Sequence, residues 1–186
     1  ITVAIGQKAE NVPREARVVI YSDAVSEGNP ERMRARELGA REVSYFEMLG
    51  EVSRGMRTVA VAGTHGKTTT TGMLTKIGVD AKAQPTAVIG SIVKDFKSNF
   101  VEGDSNIFIV EACEYRDHLL KLAPEILVIT NIEWDHTDWF PSLAATQETF
   151  RKAVEKVPAT GSIVTHPNNP HICLLYTSPS PRDQRG

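Results

Sequence analysis

The chain has little cysteine, few aromatic residues, almost no charge imbalance and no long apolar run. Its 186 residues contain 2 cysteines, Cys113 and Cys173, too far apart for a metal-ligand or redox spacing. Free thiols are the expectation, and with them a reducing compartment. A net charge of −2 offers no basic stripe to a polyanion, so no nucleic-acid partner is expected. No apolar stretch approaches the roughly 18 residues of a membrane span, and the opening ITVAIGQKAE lacks the basic start of a signal peptide. The expectation is a cytoplasmic protein with no membrane association. What is present is a globular composition, 41% hydrophobic and 24% charged, enough for one domain or parts of two.

One stretch carries the most chemistry: Val59 to Thr71, VAVAGTHGKTTTT. Val59 to Ala62 form a short apolar run suited to a parallel strand covered on both faces. Gly63 and Gly66 let the backbone turn sharply and bring its N–H groups towards an anion, which the start of a following helix also favours. Lys67 adds a mobile positive charge, and the hydroxyl of Thr68 suits magnesium. The general phosphate-loop pattern places a glycine five residues before Gly66, where this chain has Val61, so the match is partial. A plain glycine turn with a solvated lysine is the competing reading.

In chain order, Ile1 to Ile5 and Ala16 to Tyr21 are expected as two short parallel strands with a turn at Asn11 to Pro13. Asn29 with Pro30 and Glu31 starts a helix that Gly39 stops after Leu38. Arg41 to Ser44 reads as a strand and Tyr45 to Arg54 as a helix turning Phe46, Met48 and Leu49 inward, with a domain boundary at Gly55 and Met56. A helix from Thr68 to Ile77 is expected to bury Met73, Leu74 and Ile77 and to close at Gly78. Thr86 to Val93 is strand-like despite Gly90, and Asn99 to Asn106 reads as a hairpin or loop. Ile107 to Val110 and Ile126 to Thr130 are strands, with a short helix over Asp117 to Leu122 between them. Ser142 caps an amphipathic helix to Val157 carrying Leu143, Phe150, Ala153 and Val154, and Gly161 to Thr165 begins another strand. From Cys173 the sequence LLYTSPSPRDQRG abandons all alternation, and residues 173 to 186 read as a tail foreign to the fold, with a genuine disordered end as the competing reading.

Two acidic clusters follow strands: EACE at Glu111 to Glu114, and Asp135, His136 and Asp138 in NIEWDHTD. In a parallel sheet those strand ends gather at the edge where the Gly63 turn emerges. Alone, Glu111 is as readily a solvated carboxylate, His136 a surface histidine, and Asp135 and Asp138 turn residues. Together with Lys67 and Thr68 they match what phosphoryl transfer needs, a cation and loop amides for the phosphates and oxygen ligands for magnesium.

GTHGKTTTT at Gly63 to Thr71, EACE at Glu111 to Glu114 and TNIEWDHTDWF at Thr130 to Phe140 resemble the central ATPase domain of the Mur ligases. The histidine of GTHGKTTT, NPERMRARELG at Asn29 and EMLGE at Glu47 resemble those members that act on UDP-N-acetylmuramate and L-alanine. The resemblance implies an α/β fold: a partial Rossmann-like UDP-binding domain over residues 1–56, then a truncated P-loop ATPase domain with a mostly parallel sheet over residues 57–172. It implies an ATP-dependent amide ligase of peptidoglycan precursor synthesis, with ATP and Mg2+ as cofactors. ATP phosphorylates the muramic acid carboxylate and the amine of alanine attacks the acyl phosphate. By the same resemblance Gly63, Thr64, His65, Gly66, Lys67, Thr68 and Thr69 cradle the phosphates. Lys67, Glu111 and His136 are the catalytic set, and Thr68, Glu111 and His136 the metal ligands.

Three departures accompany the resemblance. Cys113 and Tyr115 stand where this subfamily more often has an acid and a small hydroxyl. Gln7 stands where a histidine is common. The family's glycine-rich first turn and its C-terminal domain are not found in these residues, so a fragment inactive by itself is expected. A murein tripeptide recycling ligase shares much of the pattern and is the alternative, as is a nucleotide-binding fragment without catalysis.

Overall fold

The computed structural model describes residues 2–166 and 169–172. The expected foreign tail and Cys173 lie outside the described residues. The chain divides into two compact units, Ile1–Gly50 and Glu51–Gly186.

The first unit holds strand β1 (Val18–Tyr21), helix α1 (Pro30–Glu37), strand β2 (Arg41–Ser44) and the start of helix α2 (Tyr45–Arg54). β1 and β2 run parallel, in register from Val18 opposite Arg41 to Tyr21 opposite Ser44. Residues 2–5 form no strand, and Val3 and Ile5 are exposed, which corrects the expectation for that segment. An apolar run becomes a strand only where a neighbour takes its N–H and C=O groups. Among the described residues of this unit, β1 and β2 pair only with each other.

Both helix starts follow local chemistry. The Asn29 carboxamide oxygen accepts from the N–H groups of Glu31 (2.9 Å) and Arg32 (3.3 Å), with Pro30 in the first helical position. Gly39 leaves α1 at φ +68°, a conformation that favours glycine. At α2 the Glu47 N–H donates to Ser44 Oγ (3.2 Å) while the Ser44 N–H donates to the Glu47 carboxylate (3.0 Å), a reciprocal capping box.

The second unit is a six-stranded sheet in the order β5-β4-β6-β3-β7-β8. Its strands are β3 (Arg57–Ala62), β4 (Thr86–Val93), β5 (Ser98–Val101), β6 (Ile107–Glu111), β7 (Ile126–Ile129) and β8 (Ser162–Thr165). All neighbours are parallel except β4 and β5, which form a hairpin with a register shift between Val88 and Val93. The mixed α/β architecture with a mostly parallel sheet is the expected fold class. β3 lies between β6 and β7, so the chain order reverses on either side of it, with Val61 opposite Glu111 and Ala62 opposite Ile129. Ala60, Val61, Phe108, Val110, Leu127, Ile129 and Phe150 are buried in its core.

Helix α3 (Lys67–Asp80) departs from expectation in two ways. Its buried positions are Thr71, Gly72 and Thr75, while Met73 and Ile77 are more than half exposed. The threonines tolerate burial because their hydroxyls donate to the carbonyls of Lys67 and Thr71 one turn back, each at 2.8 Å. Nor does Gly78 end the helix. It sits inside, and a Cβ there would lie 3.0 Å from Pro85 Cγ, so glycine serves close packing. Residues Tyr115–Lys121 form a 3-10 stretch interrupted by left-handed Arg116 and Asp117 rather than a regular short helix. Helix α4 (Leu143–Glu155) buries Thr146, Thr149, Phe150 and Ala153, with the Ser142 hydroxyl capping it through the Ala145 N–H.

Candidate active site

The turn after β3 is braced by the segment after β7. Gly63 has φ +131°, and a Cβ on it would stand 2.1 Å from Thr130 Oγ1, so no side chain fits. The N–H groups of Thr64 and His65 donate to the Asn131 carbonyl oxygen (3.1 Å) and carboxamide oxygen (2.9 Å). Asn131 Nδ2 and the Thr130 hydroxyl both donate to His65 O, at 3.0 and 2.6 Å. The Thr64 side chain is buried, accepting from the Glu133 N–H at 2.9 Å and donating to Glu133 O at 3.2 Å. His65 is exposed, 3.6 Å from the Glu133 carboxylate. The turn is thereby fixed in shape. Gly66, at φ +80°, caps α3, whose first N–H groups have no partner within the helix.

Lys67 and Thr68 each meet an acid from the end of β6. Lys67 Nζ donates to Gly63 O (2.5 Å), Thr64 O (3.1 Å) and Glu114 Oε1 (3.2 Å), with Glu114 Oε2 3.0 Å away. The Glu114 side chain is 1% exposed and that of Lys67 14%. The Thr68 hydroxyl donates to Glu111 Oε1 (2.9 Å), and the Gly90 N–H donates to Glu111 Oε2 (2.6 Å). A Cβ on Gly90 would lie 2.4–2.6 Å from that carboxylate. This explains a glycine inside β4, whose sequence is TAVIGSIV.

His136, at φ +51°, places Nε2 3.7 Å from Glu114 Oε1. The Tyr115 ring lies against it, centroids 4.9 Å apart, and the Tyr115 hydroxyl donates to Asp138 Oδ2 at 2.7 Å. Asp135 Oδ1 accepts the His136 N–H at 2.7 Å. Burial pushes the Cys113 thiol above its ordinary range, which leaves it mostly protonated.

The turn, both acids and the histidine thus meet at one sheet edge. Thr68 sits with Glu111, while His136 sits nearer Glu114. Among the described residues no group of three or more His, Cys, Asp or Glu forms a ready-made metal cluster. Sequence reasoning missed Gly90, Thr130 and Asn131 as parts of the site, and it left Glu114 and Asp138 without roles. A glycine interrupting a strand was the signal for Gly90, and Thr130 and Asn131 open the TNIEWDHTDWF motif.

A parallel sheet with a glycine turn, lysine and helix start at its switch point is the architecture of a P-loop nucleotide-binding α/β protein. The chain belongs to the Mur ligase family. The family model "Mur ligase middle domain" matches residues 61–178, and "Mur ligase family, catalytic domain" matches residues 1–57. The UDP-N-acetylmuramate--L-alanine ligase of Caldicellulosiruptor saccharolyticus is 39% identical over 173 residues, 92% of this chain and 38% of that enzyme. Among solved structures, UDP-N-acetylmuramate-alanine ligase from Thermotoga maritima matches with TM-score 0.77 and 26% identity, over 92% of this chain and 40% of that one. UDP-N-acetylmuramate:L-alanyl-gamma-D-glutamyl-meso-diaminopimelate ligase from Neisseria meningitides matches with TM-score 0.77 and 27% identity, over 91% and 58%. The chain spans 36–38% of the length of the curated relatives it matches. Among the described residues no helix is long and apolar enough to cross a membrane.

Proposed function

We propose that this chain is the phosphate-binding part of an ATP-dependent ligase that joins L-alanine to UDP-N-acetylmuramate through an acyl phosphate. The observation that carries the reading is the meeting of Lys67, the Thr68–Glu111 pair and His136 at the mouth of the turn after β3. In this reading residues 1–56 contribute to a UDP-sugar-binding domain and residues 57–172 to the ATP-binding domain.

Each residue has a stated task. The Gly66 to Thr69 amides and Lys67 neutralise phosphate oxygens, with Thr64 and His65 shaping the turn behind them. The Thr68 hydroxyl and Glu111 carboxylate are hard oxygen donors within hydrogen-bond distance of each other, a set that would hold magnesium. His136 is the candidate ligand for a second magnesium. When bound, the metal draws charge from the phosphoryl group under attack. The protein's own part is to hold the Thr68 and Glu111 oxygens together and to keep the Lys67 ammonium at the turn.

The test uses protein expressed from its whole gene. ADP and phosphate should form only when UDP-N-acetylmuramate and L-alanine are both supplied, and Lys67→Ala should lower turnover at least a hundredfold without unfolding the protein. Turnover indifferent to the sugar nucleotide would remove the ligase reading. A second reading, weaker than the first and resting on the likeness to the Neisseria meningitides ligase, a structure 27% identical, makes the amine a tripeptide. Product formed with the tripeptide L-alanyl-γ-D-glutamyl-meso-diaminopimelate and not with L-alanine would select it.

A further inference from the structure

Glu114 is an ionisable side chain buried at the heart of the candidate site, and the reaction described above gives it no task. We propose that Glu114 is a positioning residue: it acts through Lys67 and His136, holding the lysine ammonium inside the turn, and it is not a metal ligand. The proposal rests on reading Gly63 to Thr69 as a phosphate loop.

The geometry separates two acids only three residues apart. Glu111 turns to a hydroxyl and an amide N–H, the Thr68 and Gly90 groups, and keeps the company a magnesium ligand needs. Glu114 turns to the ammonium of Lys67, with His136 Nε2 3.7 Å from its Oε1. A divalent cation bound to Glu114 would have to displace a positive charge already there.

The lysine is fully occupied as it stands. An ammonium has three N–H groups, and Lys67 meets three acceptors, two carbonyls of its own turn and the Glu114 carboxylate. Of the three acceptors, Glu114 alone is charged, and bonds to charged partners are the stronger kind. Its backbone is itself anchored, since the Asp117 N–H donates to Glu114 O (3.1 Å) and the Leu119 N–H to Cys113 O (2.7 Å). Glu114 therefore keeps a long, flexible side chain folded at the place where a phosphate would meet it. An arriving phosphate then needs only to draw the ammonium across the turn.

Reaction of lysines in the 186-residue chain with an acetylating ester, resolved by mass spectrometry, tests this. Lys76, on the solvent side of the same helix, is the internal reference. Relative to Lys76, Lys67 should react about tenfold faster in Glu114→Gln than in the wild type, and Glu114→Asp, which keeps the charge, should recover most of the protection. Equal rates in the wild type and Glu114→Gln, or Glu114→Asp as reactive as Glu114→Gln, would overturn the proposal. If Glu114→Gln fails to fold, the double variant Lys67→Met/Glu114→Gln decides. Recovery of the fold on removing both charges supports the pair, and no recovery overturns it. Magnesium alone should leave the wild-type Lys67 rate unchanged. Acceleration would mean metal taking Glu114 and would also overturn the proposal. Protection of Lys67 by magnesium-ATP reports separately on the phosphate-loop reading, so failure there is distinguishable from failure of the Glu114 pair.

Discussion

At the scale of single residues, Gly90 carries a constraint that its place in a strand conceals. Glycine weakens a strand interior, so its presence in TAVIGSIV asks for a reason. The reason is the Glu111 carboxylate, which fills the space a Cβ would take and accepts the Gly90 N–H. Gly90→Ala must push the carboxylate away from both Gly90 and Thr68. Overpacking of this kind costs about 1–3 kcal/mol. The variant should therefore melt several degrees lower and bind magnesium-nucleotide more weakly. A wild-type melting curve with undiminished binding would show that Glu111 can sit elsewhere at no cost.

At the scale of elements, α1 and β2 are tied by charge. The Arg32 Nε–H donates to Glu42 at 2.7 Å, Arg36 reaches the other carboxylate oxygen at 2.5 Å, and the Arg32 guanidinium lies 3.7 Å from the Tyr21 ring centroid. The Arg32 hydrogen bond, with that of Arg36, holds the Glu42 carboxyl below its ordinary value of 4.5. A carboxyl whose folded value is depressed stabilises the fold above its unfolded value, and that contribution is lost as pH falls through the folded one. Glu42→Gln should thus melt lower than the wild type at neutral pH, and the gap should close as pH is taken below 4.5. A gap of constant size across that range would remove the linkage. Elements with local signals were legible in the sequence: the Asn29–Pro30 cap of α1, the Ser142 cap of α4, and the apolar runs of β3, β6 and β7. Features set by distant partners were not. Residues 2–5 are as apolar as a strand, yet nothing in their own composition shows that no neighbour pairs with them. Met73 and Ile77 have helical spacing, but threonines that bond their own backbone took the buried face. In the candidate site, the order of Lys67, Glu111 and His136 was readable. That Glu114 would turn to the lysine and Glu111 to the hydroxyl depends on strand register and on the left-handed residues after β6, and spacing encodes neither.

For the whole molecule, the two compact units differ in how much apolar surface each removes from water. In the first, Ala35, Val43 and Leu49 make up the buried hydrophobic set among the described residues, beside buried Asn29, Arg32 and Ser44, and Val18 and Ile20 of β1 are 44% and 53% exposed. In the second, β3, β6 and β7 bury Ala60, Val61, Phe108, Val110, Leu127 and Ile129, each at most 1% exposed. A unit of about 50 residues buries a smaller fraction of its chain's surface than a larger one, so less hydrophobic free energy offsets the entropy of ordering. Charge pairs such as Arg32 with Glu42 compensate only in part, because desolvation cancels much of what they gain. Local opening should follow the same ranking, with the weaker unit sampling open states at lower cost. Hydrogen exchange read by mass spectrometry should therefore find the amides of Val18–Tyr21 and Arg41–Ser44 exchanging well before those of Arg57–Ala62, Ile107–Glu111 and Ile126–Ile129. Equal protection across both sheets would mean that the units open as one cooperative body. The turn after β3 belongs with the slow set, because Thr130 and Asn131 lash it to the end of β7. Its Thr64 and His65 amides should keep their deuterium-free state about as long as the strand that precedes them, so that the turn after β3 opens only with the strand it follows.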